Sequence, residues 1–199
     1  MSIASNLERT KNEIADACAR AHRDPTTVAL MAVSKMHPAE SIREAYAAGQ
    51  RLFGENRVQE WQTKRTELAD LFADTTQSLS SAAQALNKTL RILIEVKLSP
   101  EDTKHGLAPE DLPTLLRALA PLTHLEPRGL MTVPPFDENP ETARPYFQHL
   151  RRLRDDNLAL CPTLTELSMG MSNDFAVAIE EGSTTVRIGT AIFGKRIYA

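Results

Sequence analysis

Thr27-Val28-Ala29-Leu30-Met31-Ala32-Val33-Ser34-Lys35 follows the breaker Asp24-Pro25 and ends on two polar residues. The run is apolar on successive positions instead of alternating, so it reads as a strand covered on both faces, as in a parallel sheet. Parallel strands need crossover connections, usually helices. The flanking sequence supplies them. Before the strand, residues 2 to 22 place Ile3, Leu7, Ile14, Cys18 and Ala21 at helical spacing, with Glu8, Arg9, Lys11, Glu13 and Arg20 on the other side.

After Lys35 the same unit recurs: a short apolar strand, polar residues at its end, then an amphipathic helix. The predicted strands are 28–34, 51–54, 73–78, 90–97, 127–133, 164–168 and 184–189. The predicted helices are 38–48, 56–71, 80–88, 109–120, 140–158 and 173–181. Pro38, Pro109 and Pro140 stand where a first helical turn tolerates proline, and Gly49 and Gly182 where helices stop. Such alternation leaves two α/β architectures, an open doubly wound sheet or a closed (β/α) barrel. The chain carries neither GxGxxG nor GxxxxGK[ST], the phosphate fingerprints of the open sheet, which favours the barrel. A barrel of this type typically takes about 250 residues and at least about 200. This chain has 199, which agrees with seven predicted strands in place of eight. No linker or repeat divides it, so residues 1–199 are expected to form a single domain.

Composition excludes several classes. Hydrophobic residues at 42% and charged residues at 25% are globular values, against disorder or collagen-like sequence. A net charge of -3 lacks the basic excess of a nucleic-acid binder. Cys18 and Cys161 are isolated, so they read as buried or idle thiols in a reducing compartment, not a disulfide framework or a zinc site. No apolar run approaches the roughly 18 residues that span a bilayer. A cytoplasmic protein without membrane or nucleic-acid partners is expected.

In a barrel the working residues lie at the C-terminal ends of the strands. Here those ends carry Lys35, Gly54-Glu55-Asn56, Lys97, Met131-Thr132, Ser168-Met169-Gly170-Met171-Ser172 and Arg187-Ile188-Gly189-Thr190. Lys35 follows a long apolar strand. Desolvation at such a place lowers a lysine pKa and frees the amine for carbonyl compounds, although position alone favours a lysine that caps the strand and reaches solvent. The 168–172 segment joins two hydroxyls and a glycine ahead of a predicted helix, a composition suited to phosphate, while Ser172 or Asn173 can also serve as a plain helix cap. The 187–190 segment adds a cation, a glycine and a hydroxyl, and the last two strands of a barrel are a frequent phosphate site. His22, His37, His105, His124 and His149 show no ligand spacing, so no metal is expected. Glu55 fits an acid/base group or an ion pair, and Arg151-Arg152 and Asp155-Asp156 fit a solvated helix face. Met131, Met169 and Met171 suit either an apolar cofactor face or gap filling.

Five segments in order carry a resemblance: Leu30–Lys35 (LMAVSK), Phe53–Glu60 (FGENRVQE), Gly129–Thr132 (GLMT), Leu167–Phe175 (LSMGMSNDF) and Val186–Gly194 (VRIGTAIFG). They closely resemble the YggS/PROSC family of pyridoxal-phosphate (PLP) homeostasis proteins. The resemblance implies a fold-type III barrel like the N-terminal domain of alanine racemase, without that enzyme's second domain. It puts Lys35 on the Schiff-base lysine, Asn56 near the cofactor ring, and Ser168, Gly170, Met171, Arg187, Gly189 and Thr190 on the segments that hold the phosphate. Lys104, in SPEDTKHG, matches another family lysine at a loop. One departure stands out. The family's WHxIGxLQxNK-like third-strand segment is missing after GENRVQE, and Gln62-Thr63-Lys64 reads as its remnant, which agrees with the strand count.

The implied function is a PLP carrier in vitamin B6 homeostasis, holding the cofactor as an internal aldimine on Lys35 and delivering it to apo PLP-dependent enzymes, as a monomer or weak dimer. No catalytic second domain follows, so turnover is not required of it. Two alternatives stay open. A small racemase-like enzyme would need an acid/base group opposite Lys35, and Tyr46, Tyr146 and Tyr198 all fall on helices or at the terminus. A degenerate barrel would have lost PLP together with the strand.

Overall fold

The sequence-predicted strand around residue 30 is β1 (Ala29–Val33), with only Ala32 fully buried and its neighbours half-covered or exposed. The structure, a computed structural model, describes residues 2–56, 58–68, 89–101, 106–122 and 125–194. The chain divides into two compact units, each built from separate segments. The first comprises Met1–Glu13, Leu30–Lys88 and Arg187–Ala199, the second Ile14–Ala29 and Thr89–Val186.

The first unit holds the start of α1 (Ile3–Arg20), then β1, α2 (Ala39–Ala47), β2 (Phe53–Gly54), α3 (Val58–Glu67), the end of β6 (Thr185–Ile188) and α7 (Thr190–Phe193). Strands run in the order β2-β1-β6, and β1 pairs in parallel with β2 through Ala32 with Phe53 and Val33 with Gly54. Ala39, Ile42 and Leu68 are buried together with Phe53 packed on them. Residues 62–64, the remnant of the missing segment by resemblance, lie inside α3 as the predicted helix 56–71 has them, and Glu60 pairs with Lys64 one turn on, the spacing that favours a helix.

The second unit contains β3 (Leu90–Glu95), α4 (Leu112–Leu119), β4 (Leu125–Met131), α5 (Arg144–Asn157), β5 (Glu166–Ser168), α6 (Phe175–Glu180) and the start of β6. Strand order is β6-β5-β4-β3, all neighbours parallel. The β3–β4 register slips between Ile92 and Leu93. Opposite that slip stands Pro127, which has no N–H for the ladder, and Arg128 becomes the extra residue of a bulge. At Gly129 a Cβ would lie 2.1 Å from the Glu166 carbonyl oxygen, so the β4–β5 contact requires glycine. Phe147, Leu150, Leu130, Leu164, Leu167, Leu112 and Leu116 form the core between this sheet and its helices. The predicted helices 109–120 and 140–158 each open with a 3-10 turn at their proline. Asn139 caps the second by accepting the Glu141 N–H at 3.1 Å.

Six strands are described; the predicted strand 73–78 and helix 80–88 lie outside the described residues. Among the described residues no helix is long and apolar enough to cross a membrane, and no group of His, Cys, Asp and Glu could hold a metal ion.

Candidate functional site

Lys35 lies in the turn that ends β1. His37 N–H donates to the Ser34 carbonyl at 3.0 Å, which makes Lys35 and Met36 the central residues. Met36 has φ 62°, the conformation required at the third position of a type II turn and costly for any residue with a Cβ. Its N–H donates to Glu60 Oε1 at 2.5 Å. Lys35 itself is half-buried and held by interactions of its own. The His37 ring packs on Phe193 of α7, with centroids 5.2 Å apart.

Beneath the turn is a buried polar cluster. Lys64 donates to the Ser34 carbonyl at 2.8 Å and to Glu55 Oε1 and Glu60 Oε1 at 2.7 Å each. Three N–H groups meet three acceptors, which satisfies the ammonium. Ser34 Oγ donates to the same Glu55 oxygen at 2.7 Å, whereas Glu55 Oε2 is buried with no hydrogen-bond partner. Of the two roles open to Glu55, the geometry displays the ion pair. Burial opposes charge on Glu60, but hydrogen bonds from Lys64 and the Met36 N–H outweigh it and hold the carboxyl below its usual range. Glu60 and Lys64 are the residues that sequence reasoning missed. Their i,i+4 spacing was a visible signal, but their burial and their grip on the β1 turn depend on tertiary contacts.

The other first-unit candidates divide. Gly189 lies against the end of β1, where a Cβ would stand 3.1 Å from the Val33 carbonyl oxygen. This brings the Gly189-Thr190 segment beside the strand end that carries Lys35. Arg187 is half-buried and interacts with its surroundings, and Asn56 is exposed on the bend after β2. A lysine amine and a close-approach glycine with its neighbouring hydroxyl, all at adjacent strand ends, fit a small aldehyde that carries a phosphate.

In the second unit, Ser168 ends β5 and is buried, as are Met169 and Gly170, while Met171 is half-buried. Met169 N–H donates to the Thr185 carbonyl at 3.2 Å. Gly170 has φ 96°, and a Cβ there would meet the Ala178 Cβ at 2.6 Å. The N-cap position of α6 falls on neither Ser172 nor Asn173. Asp174 is the N-cap residue of α6 and makes no side-chain cap; its Oδ1 accepts the Met171 N–H at 2.6 Å, while Asn173 reaches the Asp137 carbonyl at 2.8 Å. Arg151, on the solvated face expected of it, also pairs with Glu181 at 3.2 Å. Tyr46 and Tyr146 lie in α2 and α5. Lys104, His105, His124 and Tyr198 lie outside the described residues.

The family model of the alanine racemase N-terminal domain matches residues 72–197. A protein of Aquifex aeolicus (strain VF5) named pyridoxal phosphate homeostasis protein is 40% identical over 232 positions that cover 100% of both chains. A protein of the same name from Pseudomonas aeruginosa is 42% identical, covering 99% of this chain and 97% of that one. The chain belongs to the pyridoxal phosphate homeostasis protein family.

Solved structures agree with that family. PipY of Synechococcus elongatus PCC7942, determined both without PLP and with PLP bound, is 36% identical with a TM-score of 0.77, covering 97% of this chain and 100% of that one. An unknown protein from Bifidobacterium adolescentis is 31% identical with a TM-score of 0.84, covering 96% and 94%. Alanine racemase from Corynebacterium glutamicum, at 18% identity and a TM-score of 0.64, shares the fold over 98% of this chain and 60% of its own. The predicted α/β barrel of the alanine racemase N-terminal type is therefore the fold, with six strands among the described residues. The shortening is visible too. An alignment of 232 positions with a chain of 199 residues leaves at least 33 positions without a counterpart here.

Proposed function

We propose that this family member binds PLP on Lys35 and serves vitamin B6 homeostasis as a carrier, and that its 199 residues act as one cytoplasmic domain. PLP supplies an aldehyde that a lysine amine captures reversibly with loss of water. Lys35 is the amine, Gly189 and Thr190 bind the phosphate at the neighbouring strand end with Arg187 as the cation, and Asn56 lies at the ring side. Ser168, Gly170 and Met171 join the proposal through the family resemblance. The observation that carries this reading is the packing of Gly189 against Val33, which sets a phosphate-suited segment next to the lysine turn. The relatives named pyridoxal phosphate homeostasis protein and the PLP-bound PipY support it. Delivery to apo PLP-dependent enzymes, by a monomer or weak dimer, completes the proposed role.

The test is an absorption spectrum of the full chain with added PLP, followed by borohydride reduction and peptide mass mapping. The expected result is a visible band whose reduction fixes the label on Lys35, and no label in Lys35→Ala. A reducible adduct persisting in Lys35→Ala overturns the assignment. Thr190→Val and Arg187→Ala should keep the label on Lys35 yet weaken PLP retention about tenfold each, the cost of a hydrogen bond to a charged group.

A further inference from the structure

One helix holds the backbone on both sides of Lys35. The peptide carbonyl before it, that of Ser34, accepts from Lys64 at 2.8 Å; the peptide N–H after it, that of Met36, donates to Glu60 at 2.5 Å. Glu60 and Lys64 stand one turn apart in α3 and pair with each other at 2.7 Å. The two contacts therefore move as a unit. Met36 needs such a hold, because its positive φ is disfavoured for a residue with a Cβ. Lys64 is buried and saturated by its three acceptors, so replacing it takes a donor from the Ser34 carbonyl and the paired charge from both carboxylates at once.

We propose that Glu60 and Lys64 are a positioning pair for Lys35, gripping the peptide groups on either side of it so that the amine is presented in one orientation. This rests on Lys35 being the PLP lysine. The pair touches no cofactor atom in this scheme. It acts through the turn.

Two probes separate presentation of the amine from general damage: PLP, and pyridoxine 5′-phosphate, which has the same ring and phosphate but no aldehyde. Equilibrium binding of both and the rate of borohydride-trapped labelling by PLP would be measured on the full chain and on Glu60→Ala, Glu60→Gln and Lys64→Met. Glu60→Ala and Lys64→Met should weaken PLP about tenfold and slow labelling of Lys35, with pyridoxine phosphate affinity changed by less than about twofold. Glu60→Gln keeps an oxygen that accepts from Met36 and Lys64 and should recover most of the loss. If Lys64→Met does not fold, the two Glu60 variants decide. Wild-type labelling on Lys35 with Glu60→Ala indistinguishable from it, or equal weakening of both probes, overturns the positioning role alone. Failure of the wild type to label Lys35 overturns the function reading and this inference with it.

Discussion

Gly49 and Gly170 both adopt left-handed backbone, at φ 87° and 96°, in contrasting surroundings. Nothing lies within 4 Å of a Cβ built at Gly49, whereas one built at Gly170 would stand 2.6 Å from the Ala178 Cβ and 2.9 Å from the Phe175 Cα. Gly49→Ala is expected to cost about 1 kcal/mol, the conformational penalty alone. Gly170→Ala should cost about 1–3 kcal/mol more, because α6 must shift to admit a methyl group. Urea denaturation of the two variants checks the difference; equal costs would show that the loop gives way freely. This pair also marks what a sequence displays at single residues. A glycine and two hydroxyls in 168–172 read correctly as a loop at a strand end. The packing that makes Gly170 obligatory arises from Ala178 and Phe175 and could not be read from the spacing.

Between elements, a cluster of ion pairs in the second unit joins α5 to α6. Arg144 meets Glu141 at 2.6 Å, Glu180 at 2.7 Å and Glu181 at 2.8 Å, contacts that push its pKa upward. Burial opposes charge on Glu181, but hydrogen bonds from Arg144 and Gln148, with the Arg151 charge, hold its carboxyl below the usual range. Arg144→Ala would leave a nearly buried Glu181 short of its main partner and should cost about 2–3 kcal/mol. A carboxyl with a depressed folded-state pKa binds its proton more readily when unfolded. Its stabilisation is therefore present above the unfolded value of about 4.3 and disappears as pH falls through the lower folded value. Unfolding free energies measured from neutral pH to about pH 3 should decline in the wild type and decline less steeply in Arg144→Ala. A parallel decline in both would remove Glu181 from the acid response. Element positions were mostly legible from apolar periodicity, with strand 28–34 observed as Ala29–Val33 and helix 38–48 as Ala39–Ala47. The partners of Arg151 and Lys64 were not legible. They are distant in sequence, Glu181 and Ser34, and local pattern carries no record of them.

For the molecule as a whole, the alternation of strand and helix and the length of 199 residues were enough to choose a shortened barrel, since both follow from counting elements. The loops at the strand ends, 168–172 and 187–190, were legible by composition, and the contacts of Glu60 and Lys64 with the backbone around Lys35 were not, because they use backbone groups that any sequence possesses. Cofactor binding should be written into stability at this scale. A ligand bound by the folded chain alone adds about 2.7 kcal/mol at one hundred times its dissociation constant. PLP at that excess should raise the unfolding free energy of the wild type by about that amount. Lys35→Ala, retaining only ring and phosphate contacts, should show a smaller rise at the same PLP concentration. The comparison requires denaturation with and without PLP, and with pyridoxine 5′-phosphate as the ligand that cannot react. Equal stabilisation of wild type and Lys35→Ala by PLP would mean that the lysine adds nothing to the bound state, and the cofactor would then be held by its ring and phosphate contacts alone. A wild-type rise that pyridoxine phosphate fails to match would instead locate the excess in the link to Lys35, the group that the end of β1 presents.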